Sequence, residues 1–76
     1  MSKIVKFYKS ATDARGCKAS EVNCNYEKGF LPDNTPCVVL KTYNPNSQNA
    51  SVSQTLHITK DIALRLIEIF TEELSL

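Results

Sequence analysis

Between Gln54 and Phe70 the hydrophobic period of this chain changes from two to about 3.6, and the change falls on one residue, Thr59. Before it, Leu56 and Ile58 alternate with Thr55 and His57; after it, apolar side chains recur at helical spacing through Phe70. This is a strand running directly into a helix. A 76-residue chain has few ways to bury such a helix, and the strands upstream offer it a sheet. The expected fold is therefore α+β: a four-stranded, mainly antiparallel β-meander with one C-terminal α-helix packed on one sheet face.

The remaining strands are read from alternation. Residues 3–9 place Val5 and Phe7 on one side and Lys6 and Tyr8 on the other. Residues 10–19 are small, charged and glycine-containing, and read as a surface loop. Residues 21–26 alternate strictly, with Val22, Cys24 and Tyr26 opposite Glu21, Asn23 and Asn25. Residues 28–36 contain Pro32, Pro36 and the Asp33-Asn34 pair, and are expected to leave the ladder and turn. Residues 37–43, with Val38-Val39-Leu40 at their centre, form the strongest strand pattern and suit a middle position in the sheet. Residues 44–50 are a polar hairpin loop, and residues 51–59 return as the fourth strand, with Val52, Leu56 and Ile58 on one face.

The helix is expected over residues 60–74. Thr59 suits the N-cap, and Asp61 sits in the first turn, where the positive end of the helix dipole favours it. On a helical wheel Ile62, Ala63, Leu66, Ile67, Phe70 and Leu74 fall, with Ile69, in an arc of roughly 160°, wider than the stripe of about 100° that usually faces a core. Leu64 lies outside even that arc. The surplus has two readings: a thick core under a twisted sheet, or a second contact such as a homodimer seam.

Size and composition narrow the function. One domain spans residues 1–76, and a chain this short buries only about 60% of its unfolded surface, which leaves little material for a walled catalytic cleft. Nine basic side chains against eight acidic ones give a net charge of +1, far from the surplus of a strongly electrostatic nucleic-acid binder. The lysines at 3 and 6 interrupt the first apolar residues, and Arg65 and Glu68 interrupt the helix. The chain therefore reads as cytoplasmic and without a membrane partner. Asn49-Ala50-Ser51 matches the glycosylation tripeptide, which is idle in that compartment.

Cys17, Cys24 and Cys37 are odd in number and cannot all pair within one chain. Their separations, with His57 as a fourth ligand, do not match the close knuckles of structural zinc sites, so no metal or other cofactor is expected. Gly16 and Gly29 are the only glycines, which excludes phosphate-binding glycine loops. His57 has no nucleophilic neighbour in sequence, and an enzyme is not expected.

Parity selects the candidate binding residues. With Val5 and Phe7 turned to the helix, Lys6 and Tyr8 lie on the open face, and the same parity in residues 37–43, with Val38, Leu40 and Thr42 facing the helix, adds Lys41 and Tyr43. His57 joins them from the fourth strand, beside Asn23, Asn25 and Thr55. Rings flanked by ammonium groups on an open sheet are one way to hold single-stranded nucleic acid; they are also what a solvated antiparallel face normally carries. The order of four strands, a threonine cap and an amphipathic helix, carried by residues 54–70, resembles in outline the single-stranded DNA-binding domains of the transcriptional positive-coactivator type, although this chain has no tryptophan and no basic surplus. The leading expectation is a small non-enzymatic protein-binding module of adaptor or inhibitor type, such as mobile elements encode, with an unidentified protein partner. The alternative is a single-stranded nucleic-acid-binding protein that uses the open sheet face.

Overall fold

The computed structural model describes residues 1–19, 21–45 and 52–76, with the side chains of Val52 and Ser53 left aside. Four strands, β1 (Ser2–Lys3), β2 (Asn23–Phe30), β3 (Pro36–Tyr43) and β4 (Val52–Thr59), are followed without a linker by the helix α1 (Lys60–Leu74). The sheet order is β1-β4-β3-β2, antiparallel except for the parallel β1–β4 pair. The fold is α+β with a mixed, mostly antiparallel sheet, and the best strand pattern, β3, does occupy a middle position. The glycosylation tripeptide and residues 46–51 of the expected loop and fourth strand lie outside the described residues.

The first strand is much shorter than residues 3–9. Register explains it: Ser2 pairs with Leu56 and Lys3 with His57, and the amide of Ile4 still donates to the His57 carbonyl at 3.3 Å. Only Ile58 and Thr59 then remain before β4 becomes helix, so residues 6–9 have no ladder to join. They meet α1 instead. Ile4 and Ile62 line one small cavity, and Lys9 Nζ donates to Glu73 Oε1 at 2.7 Å, so the segment meets both the first and the last turns of α1. Lys6 and Tyr8 therefore do not lie on the sheet; the Lys6 ammonium rests 5.1 Å from the Tyr8 ring centre.

The second strand is longer than residues 21–26, because Lys28, Gly29 and Phe30 stay in the ladder opposite Val38, Cys37 and Pro36. The turn is confined to residues 31–35. Asn34 donates its amide to the Leu31 carbonyl at 2.7 Å, and Leu31 donates its own to Thr35 at 2.9 Å. Asp33 Oδ1 accepts the Thr35 amide at 3.1 Å, and Asn34 takes the left-handed conformation (φ 69°) that asparagine tolerates. Pro32 thus sits inside the turn and Pro36 at the first strand position, where a missing donor costs least. Gly29 is fixed by close approach, since a Cβ there would stand 2.9 Å from Val39 Cγ2.

Thr59 is extended (φ −83°, ψ 171°) and is the N-cap residue by conformation. Its hydroxyl does not cap the helix amides; it donates to Asp61 Oδ1 at 2.7 Å. That hydrogen bond, with the amides of Asp61 and Ile62, holds the Asp61 carboxyl below its ordinary value of 3.8. Asp61 thereby satisfies helix-start donors that the threonine leaves open.

The core is small. Cys37, Val39, Ile58 and Ile62 are its buried apolar residues among those described. With no residue between Thr59 and Lys60 to reverse the chain, α1 cannot fold back along the strands, and its contact with the sheet is concentrated in the first turn. Ile62 is the one buried residue of α1, while Leu66 is half-buried and Phe70 exposed.

Candidate protein-interaction surface

Helical geometry divides the apolar arc of α1 into two neighbouring stripes. Ile62, Leu66, Ile69 and Glu73 form the first; Ile62 is buried, Leu66 and Ile69 are half-buried, and Glu73 holds Lys9 of the segment after β1. Ala63, Ile67, Phe70 and Leu74 form the second, displaced by one residue. Here Ala63 is half-buried, Ile67 is 60% exposed and Leu74 64% exposed, with Phe70 also open. Their spacing of four, three and four is that of a seam between packed helices. The first stripe holds the domain together and the second faces outward.

The outward stripe leads into the sheet. A groove of about 370 Å³ begins at Ala63 and is bordered by Pro36, Val38, Ile58 and Tyr26. In the ladder Tyr26 pairs with Leu40, and Lys28 with Val38 and thence Ile58, so these side chains share one face. Phe30 belongs to it as well, with Lys28 Nζ 5.7 Å from its ring centre. Tyr26 and Phe30 are 81% and 62% exposed.

The opposite face carries the sequence-derived candidates. The pairs Asn23–Tyr43, Asn25–Lys41, Lys41–Thr55 and Val39–His57 bring Lys41, Tyr43 and His57 to one side, in the parity expected from alternation. This side is not the open one: Cys37 and Val39 on it are buried and Lys41, Tyr43 and His57 half-buried, while Val38 on the other side is 42% exposed. Two features limit it as an anion surface. Lys41 Nζ is bound to Glu27 Oε1 across the strands, so its charge is already met. His57 Nδ1 lies 3.4 Å from the Ser2 carbonyl oxygen, a contact that ties β1 to the sheet. Lys6 and Tyr8 are elsewhere, as described above, so the two Lys-x-Tyr pairs do not converge.

The cysteines do not converge either. Cys17 lies in the loop, Cys24 faces the Tyr26 side and Cys37 the Val39 side; all three thiols are free. Among the described residues no group of three or more His, Cys, Asp or Glu side chains gathers at one point, and no helix is long and apolar enough to cross a membrane. Comparison with protein-family models, with curated proteins and with solved structures found no match.

The outward stripe was only half legible from sequence: the 160° arc contained it, but which half would be covered depends on where residues 4–9 run.

Proposed function

We propose that the protein is a non-enzymatic protein-binding module, of adaptor or inhibitor type, whose contact surface is the Ala63, Ile67, Phe70 and Leu74 stripe with the groove at its foot. The observation that carries this reading is the split of one helix into a covered stripe and a bare one with helix-pairing spacing. A bare apolar stripe in water is favourable to cover, at roughly 25 cal/mol per Å² of apolar surface. Polar sheet residues already paired among themselves offer less. Three free thiols suit the reducing cytoplasm as the setting.

The test is affinity capture with the full chain from an extract of the source cells, with and without nuclease. The expected result is a protein retained stoichiometrically, indifferent to nuclease and lost when Ile67→Glu and Leu74→Glu are combined. Both side chains are exposed, so the double variant still folds. Capture that disappears with nuclease but survives the double variant would favour the nucleic-acid reading. That alternative keeps one supporting feature, the shared face of Lys41 and Tyr43, and has its own check in fluorescence anisotropy with a labelled single strand. No binding is expected at near-physiological salt. Micromolar binding abolished by Tyr43→Ala would reverse the ranking, since stacking contributes about 1–3 kcal/mol per base.

A further inference from the structure

We infer that a second copy of this chain pairs with the free edge of β2, antiparallel, with Tyr26 on the two-fold axis and the two sheets continuous. The edge borders the groove of the proposed partner surface through Tyr26 but does not include Ile67, Phe70 or Leu74 of the helix stripe. β2 is eight residues long and, among the described residues, hydrogen-bonded on one side only, to β3; at the other edge of the sheet β1 is just two residues. Every position of β2 except the half-buried Gly29 is exposed, so both faces and one edge are open. A long open edge is a template for another strand.

The side chains choose the occupant and the register. Val22, just before β2, and Tyr26 and Phe30 within it are the large exposed apolar residues here; Tyr26 and Phe30 share the face of Val38, and Val22 has the same parity in sequence. A two-fold axis perpendicular to the sheet keeps that face continuous between copies, and it requires paired residue numbers with an even sum. Centring on Glu27 sets two carboxylates opposite each other, which opposes association. Centring on Tyr26 sets Tyr26 against the same residue of the second copy, and Val22 against Phe30 twice. Lys28 then meets Cys24, Glu27 meets Asn25 and no like charges face each other. Glu27 also keeps its own Lys41.

Sedimentation equilibrium of the full chain at tens of micromolar tests the assembly. The expected mass is twice the 8.5 kDa of the chain. Tyr26→Lys, which sets two ammonium groups together on the axis, should return it to the single-chain mass, whereas Ile67→Glu should leave the dimer intact. The register is read by cross-linking in a Cys17→Ser, Cys24→Ser background under mild oxidation. Tyr26→Cys should form a disulfide dimer rapidly, since directly opposed Cα atoms lie about 4.5–5.5 Å apart, within disulfide reach. Glu27→Cys should form it at least tenfold more slowly, because its counterpart is diagonal. A wild-type monomer, a dimer that survives Tyr26→Lys, or faster cross-linking from position 27 would each overturn the inference. Loss of partner capture without loss of the dimer would overturn only the helix-stripe reading.

Discussion

Asp61 does at the start of α1 what its neighbour Thr59 was expected to do. The threonine hydroxyl is drawn to a carboxylate two residues away, and the carboxylate gathers the amides. Asp33 repeats the arrangement in the β2–β3 turn, where the hydroxyl and amide of Thr35 hold its pKa below the ordinary 3.8. Both folded values are depressed, so both contributions are complete above 3.8 and disappear as pH falls through the lowered values. Acid unfolding followed by circular dichroism should therefore show a stability that drops below about pH 4, and Asp61→Asn should flatten that drop while lowering stability at neutral pH. Gly29 supplies a second test at this scale. Gly29→Ala drives a methyl group into Val39 in the middle of the small core, and should cost about 1–3 kcal/mol in thermal or urea unfolding. The position of Thr59 was legible because conformation follows the change of period; the direction of its hydroxyl was not, because it depends on which acceptor comes within reach.

At the scale of elements, alternation showed which residues share a side wherever a strand formed, but not which side is open: Cys37 and Val39, on the Lys41 side, are buried, while Val38, on the other, is 42% exposed. Tyr26 and Leu40 share one side, and Asn25, Lys41 and Thr55 share the other, as the sequence pattern requires. Bounds were less legible, since pairing and not pattern decides where a strand ends. Residues 5–8 alternate well and still leave the sheet, because the partner strand has turned into helix by the time they could pair. Gly29 and Phe30 follow a poor strand pattern and still pair, because β3 runs opposite them and only Pro32 has to turn. The segment after β1 is instead tied to α1 near Ile62 and at Glu73, with half-buried Phe7 between the two ties. Phe7→Ala should destabilise the domain by about 1–3 kcal/mol, roughly half the cost for a fully buried ring. Amide exchange should quicken in residues 4–9 and along α1 but not in β3. Breaking the exposed Lys9–Glu73 pair with Glu73→Gln should have a smaller effect, and one that vanishes as salt screens the wild-type pair.

The whole molecule is flat and open. Its radius of gyration is 14.6 Å, against about 11 Å for a compact domain of this length, and its extents are 36 × 35 × 21 Å. The cause is the direct passage from β4 to α1, which prevents the helix from lying over the strands and divides its apolar arc between the segment after β1 and the outside. The width of that arc was visible in the sequence as more apolar surface than one core needs. Its division was not, since it follows from the path of residues 4–9. On the proposed reading one stripe of α1 builds the domain and its neighbour meets a partner, and unfolding of the isolated chain compares the two directly. Ile62→Ala should cost about 2–5 kcal/mol, enough to unfold much of a small domain, while Ile67→Ser should change stability by no more than about 0.5 kcal/mol. Equal losses at the two positions would show that α1 spends both stripes on its own fold, and would contradict the account.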